Sequence, residues 1–216
     1  MDARPEQPEP PSRNGLLRRW RRRLPPRYGG FIELTVTLVL ALALAEAVQA
    51  AIVKPFRIPS GSMEPTLKVG QRVLVNRLVY DFRGPHRGDV IVFHPPNSLN
   101  CAVALKAGEA CSRGSEQPAD GYFVKRVVGL PGDRISVREG SPVINGRELT
   151  NAPYVAPCGA SSECNMPRTI TIAPGHYFMM GDNRGDSDDS RFWGPIPSRW
   201  IIGEVFLTYW PPDRIG

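Results

Sequence analysis

Histidine is scarce in this sequence, and the three present, His86, His94 and His176, fall in no catalytic or metal-binding pattern. No H-E-x-x-H run occurs, so a helix-borne zinc hydrolase lacks its ligand pair. No G-x-S-x-G elbow occurs either, which removes a common frame for a Ser-His-Asp triad. The acid-rich stretch from Gly181 to Gly194 has neither the register nor the closing glutamate of a calcium loop. Nothing here asks for a metal or a cofactor. Lysine is rare as well: Lys54, Lys68, Lys106 and Lys125 are the whole set. Apart from one apolar run, the chain shows no sustained helical periodicity and no internal repeat.

Basic charge is concentrated at one end. The chain carries +6, and residues 1–30 hold eight arginines against Asp2, Glu6 and Glu9, a net of +5 that leaves +1 for the rest. That distribution describes a basic tail, not a basic domain, and argues against a nucleic-acid partner. With six prolines and little apolar surface to bury, residues 1–28 are expected to be disordered.

The run from Phe31 to Val53 is the one long apolar segment. As a helix it measures roughly 34 Å at about 1.5 Å per residue, enough for a ~30 Å hydrocarbon core. Glu33 then sits at headgroup level, and Glu46 and Gln49 lie towards the far interface. The arginines before it place residues 1–30 in the cytoplasm and residues 54–216 across the membrane. A basic n-region, an apolar core and Ala43-Leu44-Ala45 also describe a cleavable secretory signal. The long proline-rich n-region, and the continuation of the run to Val53, favour an uncleaved anchor. Either way the remainder is exported.

Cys101, Cys111, Cys158 and Cys164 agree with export. They are even in number, lie in loop-like segments, and are spaced C-x9-C and C-x5-C, poor spacings for zinc. Four cysteines allow three pairings, of which 101–111 with 158–164 is the simplest. Residues 95–121 and 151–167 read as excursions from a sheet core, each carrying two cysteines and serving as a clipped spacer.

From Lys54 onward, short β-rich runs alternate with turn signals. Strands are expected at Val73–Tyr80, Asp89–His94, Tyr122–Val128, Arg134–Val137, Val143–Ile144, Thr169–Ile172, Tyr177–Met180 and Ile201–Trp210. Asn145-Gly146 between Ile144 and Arg147 is a type I′ hairpin signal. The fold class is all-β, with antiparallel sheets preceded by one transmembrane helix.

Two residues carry chemistry. A serine hydroxyl is a poor nucleophile until a base takes its proton, and a lysine does so only when neutral. Lys125 is the one lysine in an apolar strand-like run (Tyr122 to Val128), where desolvation lowers an amine's pKa. Ser62 sits in a turn-rich segment, Pro59-Ser60-Gly61-Ser62-Met63-Glu64-Pro65. Ser60 is close enough to join the Ser62 backbone N–H as an oxyanion donor. In the 181–194 stretch, Asp189 and Arg191 are expected to pair, and its serines to orient Lys125. Each segment alone has a plain reading: an exposed strand lysine, a serine/proline linker, a solvated charged loop.

Taken in order, four blocks resemble the bacterial type I signal peptidases, the leader peptidase family of Ser-Lys proteases. They are Pro59 to Leu67, Arg87 to Phe93, Lys125 to Asp133, and Gly181-Asp182-Asn183-Arg184 through Asp189-Ser190-Arg191. The resemblance spans residues 31–211. It implies Ser62 as nucleophile, Lys125 as general base, Ser60 as oxyanion donor, Ser187 bonded to the lysine, and Asp189 with Arg191 as a supporting pair. It further implies that Phe56, Ile58, Met63, Leu67, Val73, Phe123 and Val124 line shallow pockets that accept small residues, as in Ala-x-Ala. By the same resemblance Cys158 and Cys164 form a short-loop disulfide.

The chain departs from the family pattern where Gly185 stands in place of a frequent Asp and Gln71 in place of an Asp after Gly70. The expected partners are exported preproteins and the lipid bilayer, the latter met by apolar surface near Phe56 or Trp193. The alternatives are a narrow-substrate conjugation or pilin-processing peptidase and an inactive membrane-tethered binding protein.

Overall fold

The apolar run folds as one helix, α1 (Gly29–Ile52), long and apolar enough to cross a membrane by length and composition. Its first polar side chains are accommodated internally: the Thr35 and Thr37 hydroxyls donate to the carbonyls of Phe31 and Glu33 at 2.8 Å, one turn back. The computed structural model describes residues 29–98, 111–112, 114, 116–149, 153–159 and 164–216. The basic tail expected to be disordered, Cys101, and the centres of both excursions lie outside these. The chain divides into two units, residues 1–49 and 50–216.

The second unit is built of antiparallel strands. These are β1 (Val53–Arg57), β2 (Arg72–Asn76), β3 (Val90–Phe93), β4 (Phe123–Gly129), β5 (Arg134–Arg138), β6 (Ser141–Ile144), β7 (Arg147–Glu148), β8 (Met166–Thr171), β9 (His176–Met180), β10 (Ile196–Pro197) and β11 (Ile201–Trp210). Seven form one sheet in the order β1-β2-β11-β3-β4-β9-β10, and four form another in the order β7-β6-β5-β8. The all-β reading holds.

Particular boundaries differ for identifiable reasons. The strand expected to reach Tyr80 stops at Asn76, whose side-chain oxygen accepts the Leu78 and Val79 N–H groups at 3.0 and 3.2 Å. That bond starts a short helical turn, α2 (Val79–Phe82), in place of more strand. Val53, read as the last residue of the apolar run, opens β1 instead. β1 contains Pro55 and β10 contains Pro197, and each lies at an edge of the sheet, where a missing N–H costs no ladder bond. Met166 and Pro167, assigned to the second excursion, begin β8. Asn145 (φ 53°) and Gly146 (φ 84°) form the two-residue turn of the β6–β7 hairpin.

Strand β4 positions the chemistry. Alternation sends Phe123, Lys125 and Val127 to one face and Val124, Arg126 and Val128 to the other. Val127 packs with Ile91, Met179 and Trp193, Val124 with Ile58 and Met63, and Val128 with Ile135 and Phe178. Trp193 is fully buried and Phe56 nearly so, so any lipid-facing surface near them is supplied by other side chains. The exposed large apolar side chains of this unit include Phe82, Phe206 and Trp210.

Phe178 is fully buried and pairs with Gly129, where a Cβ would crowd the Ile172 and Phe178 side chains. Phe178→Ala is expected to lower unfolding free energy by about 3–5 kcal/mol, read as an earlier midpoint in denaturant titration of the full chain in detergent.

Candidate active site

The serine segment is a loop held at its base and its tip. Ile58 and Gln71 extend the β1–β2 pairing, with Ile58 N–H donating to the Gln71 carbonyl at 2.8 Å and Gly70 N–H to the Ile58 carbonyl at 2.9 Å. The Gln71 side chain accepts the Lys68 N–H at 2.7 Å, which gives this departure from the family pattern a local role. Between these anchors Gly61–Met63 form a single 3-10 turn carrying Ser62. Met63 and Ile58 are buried, pinning the turn to the sheet.

Residues 181–184 hold that turn from the far side. Asn183 donates its N–H to the Ser62 carbonyl at 3.0 Å and its side-chain amide to the Gly61 carbonyl at 3.3 Å. Gly181 is required for this closeness: a Cβ there would crowd the Ser62 carbonyl and the Ser187 side chain. Asp182, fully buried, takes both prongs of the Arg126 guanidinium at 2.8 and 2.7 Å and the Thr66 hydroxyl at 2.5 Å. Thr66 belongs to the serine loop and Arg126 follows Lys125, so one carboxylate joins both halves of the site.

The lysine lies on the opposite face of β4 from Arg126. Lys125 is 3 % exposed, and its Nζ donates to Ser187 Oγ at 2.9 Å. Among the described residues no carboxylate lies within ion-pair distance of it. Burial brings its pKa from the ordinary 10.5 down to about 8; Asp189 and Asp188 pull it back up, and Arg191 pushes it down again.

Asp189 and Arg191 form a bidentate pair at 2.8 and 2.9 Å, both buried. Asp189 also accepts the N–H of Arg191, capping the short helix α3 (Ser190–Trp193), and the N–H of Gly181 at 3.1 Å. Burial alone would raise the Asp189 carboxyl. The Arg191 guanidinium, Lys125 and the Gly181 N–H outweigh it and hold the group below the ordinary carboxylate range. Arg191 donates to the Ser187 carbonyl at 3.2 Å as well, which fixes the serine that meets the lysine. Ser190 is used elsewhere, its Oγ accepting the Met179 N–H at 2.9 Å.

Ser62, Lys125, Ser60 and Ser187 line one cleft of about 440 Å³, together with Asp186 and Asp188. The Ser60 and Ser62 hydroxyls are 3.3 Å apart. Of the residues expected in substrate pockets, Ile58, Met63, Phe123 and Val124 line this cleft. Phe56, Leu67 and Val73 do not; they pack behind it with Ile58, Met63 and Val124. Gly185 is exposed at the rim, and a Cβ there would press on the Cys158 carbonyl oxygen.

Four contributors escaped the sequence reading: Arg126, Thr66, Asp182 and Asn183. Arg126 directly follows the lysine and Asp182 stands in the fourth block, but which cation meets which carboxylate is set only by strand alternation and loop approach. Arg184, also buried, ties the same loop to the carbonyls of Gly181 and Gly140. Gly140 N–H donates to the Cys164 carbonyl, beside the Cys158–Cys164 disulfide, whose Cα atoms are 5.9 Å apart. Cys111 is disulfide-bonded, while the expected 101–111 pairing involves a residue outside those described.

Lys125 is expected to give a carbon-13 ε-methylene signal that titrates near 8. Replacing Lys125 with Met should remove that signal; a spectrum with no midpoint near 8 would contradict the burial described above.

Known proteins resemble this chain over most of its length. The family described as "Signal peptidase, peptidase S26" matches residues 31–210. The chain is 31% identical over 191 residues to "Probable signal peptidase I-2" of Synechocystis sp., covering 88% of this chain and 78% of that one. It is 34% identical over 181 residues to "Signal peptidase I" of Leptolyngbya laminosa, covering 83% and 80%. Against "Signal peptidase I" of Mycobacterium tuberculosis it is 32% identical over 218 residues, covering 85% and 74%. A family match over most of the length, joined to relatives above 30% identity, places this chain in the signal peptidase family of peptidases, S26.

Proposed function

We propose that this protein is a membrane-bound serine endopeptidase that removes signal peptides from exported preproteins with a Ser62–Lys125 dyad. The observation that carries the reading is Lys125: a buried amine without a carboxylate partner among the described residues, bonded to Ser187, in the cleft that also holds Ser62.

The reaction follows from amide chemistry. Neutral Lys125 takes the Ser62 proton as Oγ attacks the scissile carbonyl carbon. The Ser62 N–H and Ser60 hydroxyl receive the oxyanion of the tetrahedral intermediate. Lys125, now ammonium, protonates the leaving amine as the C–N bond breaks, freeing the mature protein and leaving an acyl ester on Ser62. Water then attacks that ester with Lys125 again as base, and the signal peptide leaves with a new carboxylate. With a pKa of about 8, about a tenth of Lys125 is neutral at pH 7, against roughly one part in 2,500 for an unperturbed lysine.

Specificity follows from packing. Ile58, Met63, Phe123 and Val124 face the cleft, while Phe56, Leu67 and Val73 set its depth from behind, which suits small side chains such as those of Ala-x-Ala. The helix α1 anchors the chain with residues 1–28 in the cytoplasm and the β-domain outside, where membrane-held preproteins present their cleavage sites.

Ser62→Ala and Lys125→Ala are each expected to reduce preprotein cleavage by at least about a thousandfold, and the double variant to lose little more, because the two groups act as a unit. Undiminished cleavage in either single variant, with folding intact by circular dichroism, sinks the assignment. The pH profile carries a separate expectation. Protonated Lys125 is inactive, so kcat/KM should climb about tenfold per pH unit below about 8 and level off above it; a flat profile between pH 6 and 8 counts against lysine as the base.

A further inference from the structure

Two open clefts away from the active site share a set of basic side chains. One, of about 600 Å³, is lined by Lys54, Arg77 and Arg199; the other, of about 630 Å³, shares Arg77 and Arg199 and adds Phe82. Lys54, Arg77 and Arg199 are exposed, and none forms an ion pair among the described residues. Asp81 is the one carboxylate lining either cleft among those residues. Arg83, also present, is occupied by Asp89 and Glu204 at 2.8 Å each. Lys54 and Arg199 rest over the rings of Phe56 and Trp200, at 5.3 and 6.0 Å, which limits how far either cation swings.

Chain connectivity locates two of these cations, and Arg199 shares both clefts with Arg77. Lys54 follows Ile52, the last residue of α1, by two residues, at most about 7 Å of chain. Arg77 donates its N–H to the Ile52 carbonyl at 2.9 Å, so its backbone is bonded to the helix terminus itself. On the proposed reading that α1 spans the bilayer, this terminus lies at headgroup level. Phe82, on the same rim, is 86 % exposed. An apolar ring beside unpaired cations has the composition of an interfacial contact.

We propose that these clefts form a headgroup site for an anionic phospholipid. Its phosphodiester lies among Lys54, Arg77 and Arg199, and Phe82 reaches the acyl boundary. The phosphate oxygens supply the negative charge the three side chains lack, and the attached acyl chains distinguish the ligand from a free phosphate. Each cation held near an anionic headgroup strengthens retention by about fivefold. None of the three lines the active-site cleft, so the site holds the domain to the bilayer without entering the reaction.

The test uses the full chain in neutral detergent, with lipid retention read by native mass spectrometry at equal mole fractions of phosphatidylglycerol and phosphatidylcholine. Phosphatidylglycerol is expected to be retained at least tenfold more. The triple variant K54Q/R77Q/R199Q should lose that preference and keep normal cleavage of a soluble peptide. A control with three exposed arginines of the four-stranded sheet replaced, R134Q/R138Q/R147Q, should retain the lipid. Equal retention of the two lipids, equal loss in the control, or displacement of the lipid by millimolar inorganic phosphate overturns the proposal. Cleavage and retention are read in the same preparation: lipid held without cleavage counts against the Ser62–Lys125 reading alone, and cleavage without lipid preference against this one.

Discussion

An amine placed in a protein interior with no carboxylate to neutralise it is costly, and the fold resolves that cost by lowering its proton affinity. The surroundings of Lys125 make sense on that basis. Asp189 is near enough to raise the lysine's pKa, yet its charge is committed to Arg191 through two buried hydrogen bonds. Arg191 offsets part of that pull, and burial outweighs what remains. The ion pair thus tempers the field on the base while orienting Ser187 through the bond from Arg191 to the Ser187 carbonyl.

A second pair, between half-buried Arg126 and fully buried Asp182, holds the halves of the site together. Arg126 and Asp182 stand on the reverse face of the strand that carries Lys125, and Asp182 also accepts the hydroxyl of Thr66 from the serine loop. The loop itself has few internal bonds and depends on its neighbours for position: Asn183 at the tip, Ile58 and Gln71 at the base. Gly181 lets the two halves approach where any side chain would separate them. Lysine and serine come from segments some sixty residues apart, so their relation rests on this small group of cross-links. The Cys158–Cys164 disulfide, Gly140 and Arg184 brace the 181–185 loop from outside.

Much of this was legible in the residues and some was not. Alternating apolar runs and the Asn145-Gly146 turn announced the strands, because a period of two and a positive-φ requirement are local properties. The strand ending at Asn76 was misread because a side chain there captures the following N–H groups, a choice that composition does not reveal. Apolar surface near Trp193 is expected to meet lipid, but the Trp193 side chain itself is enclosed among Phe93, Val127 and Met179, and enclosure is decided by packing. Phe56, Leu67 and Val73, expected in the pockets, lie one layer behind the cleft, since depth is a property of packing.

By itself the chain order determined a single apolar helix, a β-rich remainder, one lysine in an apolar strand and one serine in a proline- and glycine-rich loop, all consequences of local patterning. Tertiary structure alone decided that the Asp189–Arg191 pair lies beside Lys125, that Asp182 joins the serine loop to the lysine strand, and that unpaired cations gather where the helix ends. Each of these depends on distances between residues remote in sequence, and only the paired strands set those distances.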